Sequence, residues 1–127
     1  MQKLELTWIG KDDAQVPLEP RILIENPKYS YGTVEETTLP SGKPWHGNML
    51  IHGDNLLALR SLTQQYTGEV TCIYIDPPYN TNAATPYYDD MVEHSYWLGL
   101  MRPRLEFLRQ LLSEDGTIWI QINDDEQ

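Results

Sequence analysis

Residues Val70-Thr71-Cys72-Ile73-Tyr74-Ile75 form an unbroken run of mostly β-branched or aromatic residues, and Asp76-Pro77-Pro78-Tyr79 ends it at once. A run of this length without apolar–polar alternation reads as a strand buried on both faces, the kind found in the middle of a parallel sheet. Two consecutive prolines fix φ, remove two backbone donors and push Asp76 out of the helical region, so the chain leaves the strand in a stiff turn. Parallel strands need crossover connections, so the fold class expected is α/β. Ligands of open α/β sheets sit at the carboxyl ends of strands, which makes this turn the candidate site.

The flanking pattern agrees. Asn48-Met49-Leu50-Ile51-His52 is a short apolar run broken by Gly53-Asp54-Asn55. Leu56, Leu59, Leu62 and Tyr66 then recur at near-helical spacing, with Asp54 or Asn55 as cap and Gly68 as stop. The unit predicted is strand, helix, strand, with strands at 49–52 and 70–75. After the turn, residues 80–92 are polar and Tyr-rich, either a loop that closes over a ligand or a plain surface loop. Trp97, Met101, Leu105, Leu108 and Leu112 predict an amphipathic helix, with Pro103 marking a kink or the start of its regular part. Asp115-Gly116 is read as its end, Thr117–Ile122 as the next strand, and Asn123-Asp124-Asp125-Glu126 as another strand-end turn.

Residues 1–48 hold Pro17, Pro20, Pro27, Pro40 and Pro44, which rule out long helices. Leu4–Ile9 and Arg21–Ile24 are read as short extended pieces of an irregular arm. That arm drapes over the domain at 49–127, waits for a partner through Trp8 and Trp45, or is an extension with no role of its own.

Nine Lys plus Arg against 19 Asp plus Glu give a net charge of −10, which repels phosphate backbones and argues against nonspecific DNA affinity in this segment. The single cysteine, Cys72, is read as a small core residue; no disulfide framework is available, and a reducing cytoplasm is the expected compartment. His46, His52 and His94 lack ligand-like spacing, so no metal site is expected. No stretch approaches a membrane span, and the start has no apolar export signal.

The turn offers a carboxylate, backbone carbonyls and an aromatic ring within four residues. Such a set suits a planar group with an exocyclic amine, because two acceptors take its two N–H bonds while the ring stacks on its face. A nucleobase amine fits. The structural alternative for Asp76–Tyr79 is a rigid loop with a capping Asp. Arg102, Arg104 and Arg109 are either phosphate contacts or the solvated face of their helix, and Trp97 and Trp119 are read as core or sheet-packing residues.

Asp76-Pro77-Pro78-Tyr79 at a strand end resembles the catalytic motif of the amino-group DNA methyltransferases. The likeness extends through Leu4–Lys11, Leu18–Leu23, His52–Leu59, Cys72–Thr81, Tyr88-Asp89-Asp90, Met101–Leu105 and Gly116–Ile120, which together are similar to the amino-terminal part of adenine-specific methyltransferases of the type III restriction–modification kind. That family permutes its motifs: the catalytic turn precedes a target-recognition region and then a Phe-x-Gly-x-Gly cofactor loop. The sequence has no Phe-x-Gly-x-Gly, and Phe107 is its only Phe.

The resemblance implies a partial doubly wound, Rossmann-like methyltransferase sheet with an irregular N-terminal arm, cut off before target recognition and most cofactor binding. It implies S-adenosyl-L-methionine as cofactor and adenine-N6 DNA methylation as activity. Partners would be DNA with a flipped adenine, and a restriction subunit or a complementary C-terminal half. Asp76 and the Pro77 carbonyl would accept the amine, Pro78 would stiffen the turn, and Tyr79 would stack. Asn80 and Thr81 continue the motif beside the base. Gly53 and Asp54 would lie near the cofactor, with a helix cap as the equal alternative for Asp54. Cytosine-N4 methylation and a non-catalytic fragment that docks on a separate cofactor-binding chain are the other readings.

Overall fold

The computed structural model describes residues 5–12, 18–19, 21–32, 38–39, 41–45, 47–79 and 94–124. It is an α/β arrangement of two helices and a two-stranded parallel sheet: α1 (Asn55–Tyr66), β1 (Val70–Ile75), α2 (His94–Leu111) and β2 (Leu112–Ile120). A short 3-10 turn, Pro27–Tyr29, precedes them.

β1 and β2 are parallel neighbours joined by the crossover that contains α2. Cys72 pairs with Thr117, Ile73 with Ile118, Tyr74 with Trp119 and Ile75 with Ile120. One step beyond β2, the Gln121 N–H continues the ladder to the Ile75 carbonyl at 3.0 Å. The core forms where α2 meets the sheet and α1: Ile73, Trp97, Met101, Leu108 and Leu111 are buried.

α1 follows its sequence signals. Asp54 caps it by accepting from the N–H groups of Leu56 and Leu57 at 3.0 and 3.1 Å. Past its end Gly68 takes φ 72°, a conformation only glycine adopts cheaply, and donates its N–H to the Gln110 carbonyl at 2.9 Å. That bond ties the end of α1 to the end of α2.

Several expectations are corrected. Residues 49–52 form no strand, and Leu50 is 99% exposed. An apolar run becomes a strand only with a ladder partner for its N–H and C=O groups, and among the described residues it has none. β1 is not buried on both faces. Ile73 is buried, but Tyr74 is 65% exposed and Cys72 is exposed rather than a core residue, because nothing among the described residues covers their face. Trp119, opposite Tyr74, is 63% exposed for the same reason.

α2 does not begin at Pro103. It starts at His94 and runs unbroken through the proline, its early turns held by burial of Trp97 and Met101. It ends at Leu111, so Leu112 belongs to β2 and not to the helical stripe, and Asp115-Gly116 lies inside β2 rather than closing the helix. The register slips between Val70 and Cys72, where Leu112 and Thr117 are the successive partners, so the intervening residues bulge. A Cβ on Gly116 would lie 2.9 Å from the Val70 carbonyl oxygen, a backbone approach that only glycine permits. β2 stops at Ile120 rather than Ile122.

Parts of residues 1–48 are tied to the helices. Arg60 donates to the Leu18 carbonyl, Ser61 to Arg21, Lys43 to Gln65, and Arg102 to Lys11 at 2.9 Å, while Lys11 and Arg102 both approach the Trp8 ring. Among the described residues Arg21–Ile24 pairs with no strand. Among the described residues no helix is long and apolar enough to cross a membrane, and no three metal-ligating side chains cluster.

Candidate active site

The ladder carries the chain from Ile75 into the turn, where Asp76 is exposed and Pro77, Pro78 and Tyr79 are half-buried. Of the turn's carbonyls, that of Pro78 accepts the indole N–H of Trp97 at 2.8 Å, and Ile75's is taken by Gln121. The Pro77 carbonyl has no partner among the described residues. Because neither proline has an N–H, Pro77 and Pro78 present carbonyl acceptors with no backbone donor of their own.

The Tyr79 hydroxyl is held above the ordinary phenol value, first by its hydrogen bond to the Asp76 carboxylate, then by desolvation and the charge on Asp76; the Gln121 side chain pulls the other way. Tyr74 donates through its hydroxyl to Gln121 Oε1. Tyr74, Asp76, Tyr79 and Gln121 thus form one polar and aromatic group at the carboxyl ends of β1 and β2. Gln121 and Tyr74 were not singled out as site residues from sequence; only the pairing of β2 with β1 puts them there.

The Gly53-Asp54 turn is the second part of the site. The cap uses Oδ1 of Asp54, and its Oδ2 lies 3.9 Å from the Arg104 guanidinium. Arg104 also donates to Asn55 Oδ1 at 2.7 Å and to the Leu100 carbonyl at 2.6 Å. Gly53 has φ 155° and no atom within 4 Å of where a Cβ would stand, so its backbone is open to approach. Arg104 is therefore not free on a solvated face, whereas Arg109 is exposed as that reading expects. Arg102 is likewise engaged, by Glu106 at 3.0 Å and by Lys11. Both turns of the site are tied to α2. Asn80, Thr81 and the loop at 80–92 lie outside the described residues.

A family model described as DNA methylase matches residues 70–127, which hold β1, the Asp76–Tyr79 turn, α2 and β2. Residues 70–127 are thus similar to that family over the whole strand–turn–helix–strand unit. It is 50% identical over 80 residues, 63% of its length, to the probable type III restriction-modification enzyme HindVI Mod subunit of Haemophilus influenzae. It is 32% identical, over 98% of its length, to the EcoPI Mod subunit of Escherichia phage P1, and 34% identical, over 96%, to the StyLTI Mod subunit of Salmonella typhimurium. The match spans 11%, 23% and 22% of those three relatives.

Proposed function

We propose that this chain is the catalytic part of an S-adenosyl-L-methionine-dependent DNA adenine-N6 methyltransferase of a restriction–modification system. The observation that carries the reading is the division of acceptors in the turn: Trp97 occupies the Pro78 carbonyl, while the Pro77 carbonyl, unpartnered among the described residues, and the exposed Asp76 carboxylate offer acceptors to the two N–H bonds of an amine. The Mod-subunit likeness supports the same chemistry.

Adenine's amine is inaccessible in a duplex, so the base is flipped out and held by stacking and edge hydrogen bonds. Its amine takes the place of the Tyr79 hydroxyl at Asp76, which releases the Tyr79 ring to stack on the base. With both N–H bonds accepted by Asp76 and the Pro77 carbonyl, the nitrogen lone pair would be left free to face a methyl donor. S-adenosyl-L-methionine supplies, when bound, a methyl group on a sulfonium. Positioning and electrostatics carry most of the rate in such an in-line displacement, and Asp76 disperses the positive charge that builds on nitrogen. No general base is needed before the methyl moves.

Acceptor-only Asp54, its side chain 55% exposed, and the open backbone at Gly53 fit an amine-bearing, cationic cofactor, as does the acidic charge of the chain. Asn80 and Thr81 extend the base site. Two strands and, among the described residues, an uncovered face at Cys72, Tyr74 and Trp119 support completion of a Rossmann-like sheet and its cover by a complementary segment, with target recognition supplied there and a restriction subunit as a further partner. Residues 1–48 then serve as an arm on the catalytic domain at 49–127.

The test is calorimetric titration of S-adenosyl-L-methionine into the chain, followed by transfer of labelled methyl to oligonucleotides whose only acceptor is adenine or cytosine. Adenine labelling that disappears in a folded Asp76→Ala variant supports the reading. Labelling of cytosine alone moves the assignment to N4, and labelling that persists in the variant refutes the role of the turn.

A further inference from the structure

The two turns of the site share one support, and the way each is held is specific. Trp97 is 8% exposed and directs its only polar atom to the Pro78 carbonyl. Arg104, its side chain 16% exposed, directs its guanidinium to Asn55 and Asp54 in the Gly53–Asn55 turn. Both lie on α2, about two helical turns apart, which brings them back to one stripe and separates them by roughly 10 Å along the axis.

We infer that α2 is a spacer between the methyl-acceptor turn and the methyl-donor turn, with Trp97 and Arg104 as positioning residues at its two contact points. The inference rests on the methyltransferase reading of those turns.

Three features make the arrangement more than core packing. A buried indole needs a partner for its N–H, whereas Phe would give an aromatic core contact without one; the bond is made to the Pro78 carbonyl and leaves Pro77's as the amine acceptor. The planar guanidinium bonds Asn55 Oδ1 and lies beside Asp54 Oδ2 while its Nη1 is fixed on the Leu100 carbonyl of its own helix, so its orientation is set from both sides. Pro103, immediately before Arg104, fixes φ within an unbroken helix. In-line displacement is sensitive to such spacing: a misplacement of about 1 Å costs on the order of a hundredfold in rate.

The experiment compares the wild-type chain with Trp97→Phe, Arg104→Met and Arg104→Lys, each first shown to be folded by circular dichroism. Affinity for S-adenosyl-L-methionine is measured by calorimetry, and single-turnover methyl transfer to an unpaired adenine is measured at saturating cofactor. Trp97→Phe is expected to slow transfer by roughly tenfold or more with the cofactor Kd within about twofold, whereas Arg104→Met raises that Kd by roughly tenfold and Arg104→Lys recovers part of the loss. Unchanged transfer in Trp97→Phe, or equal losses of both quantities in both variants, overturns the spacer.

Carbonyl and amide NMR shifts give an independent reading. The Pro78 carbonyl, observed through the Tyr79 amide, should move only in Trp97→Phe, and the Leu56 and Leu57 amides only in the Arg104 variants. Where the wild-type chain neither binds cofactor nor transfers methyl without its complementary segment, the spacer is judged on these shifts, and their absence defeats it.

Discussion

The Asp76 carboxylate neighbours the hydroxyl of Tyr79, three residues further along the same turn, and holds the phenol above its ordinary value of about 10. A phenol whose folded value is raised keeps its proton where the unfolded chain has lost it. The contact's contribution is therefore fully present below about pH 10 and is lost as pH rises through the folded value. Tyrosine-ring NMR should show the Tyr79 titration displaced to high pH. In Asp76→Asn the midpoint should fall toward that of a free phenol, since the charge and the acceptor strength are both reduced. A Tyr79 midpoint that does not respond to Asp76→Asn would show that the two groups do not share a proton-linked contact.

Gly116 permits the bulge at the start of β2. Alanine there brings a Cβ within 2.9 Å of the Val70 carbonyl oxygen and within 2.7 Å of Leu112 Cδ1. The side chain of Leu112 can turn away, but the β1 backbone cannot move without disturbing the ladder that leads into Asp76. Gly116→Ala should cost about 1–3 kcal/mol, measured by urea unfolding, with lost methyl transfer following the fold rather than the chemistry. A neutral substitution would mean that the bulge re-forms elsewhere.

What the sequence made legible was local. The proline pair after β1 and the Asp54 cap with Gly68 behind it all announce themselves in contiguous residues, because φ restriction, capping and left-handed glycine geometry act within a turn. Illegible was whatever depends on neighbours far along the chain. Met49–Ile51 has the composition of a strand but no partner among the described residues, and Cys72, Tyr74 and Trp119 have the composition of a core but lie on an uncovered face. Half of the site was hidden for the same reason. Gln121 reaches Tyr74 only through strand pairing, and Trp97 reaches Pro78 only through the crossover, neither of which leaves a local signal.

The uncovered face has a direct chemical test at Cys72. A thiol inside a two-sided sheet reacts only after unfolding, whereas one on an open face reacts in the folded chain. Cys72 should be modified by a soluble disulfide reagent in a single fast phase under native conditions, and Cys72→Ser should change stability by no more than about 0.5 kcal/mol. Protection of the thiol that is lifted only by denaturant would put a covering segment over β1.

Asp54 carries two roles that substitution can separate. Its Oδ1 satisfies two amides at the start of α1, a task that the Asn side-chain oxygen performs about as well; Ala leaves both without a side-chain acceptor. Asp54→Ala should therefore lower stability by about 1–2 kcal/mol, while Asp54→Asn should stay within about 0.5 kcal/mol of wild type. A cofactor contact depends on the second oxygen and its charge, both of which Asn removes. Binding of S-adenosyl-L-methionine should accordingly weaken in both variants, by calorimetry, including the one that keeps its thermal stability. If Asp54→Asn binds cofactor as the wild type does, Asp54 is a helix cap alone, and the donor end of the site must be sought at the Gly53 backbone.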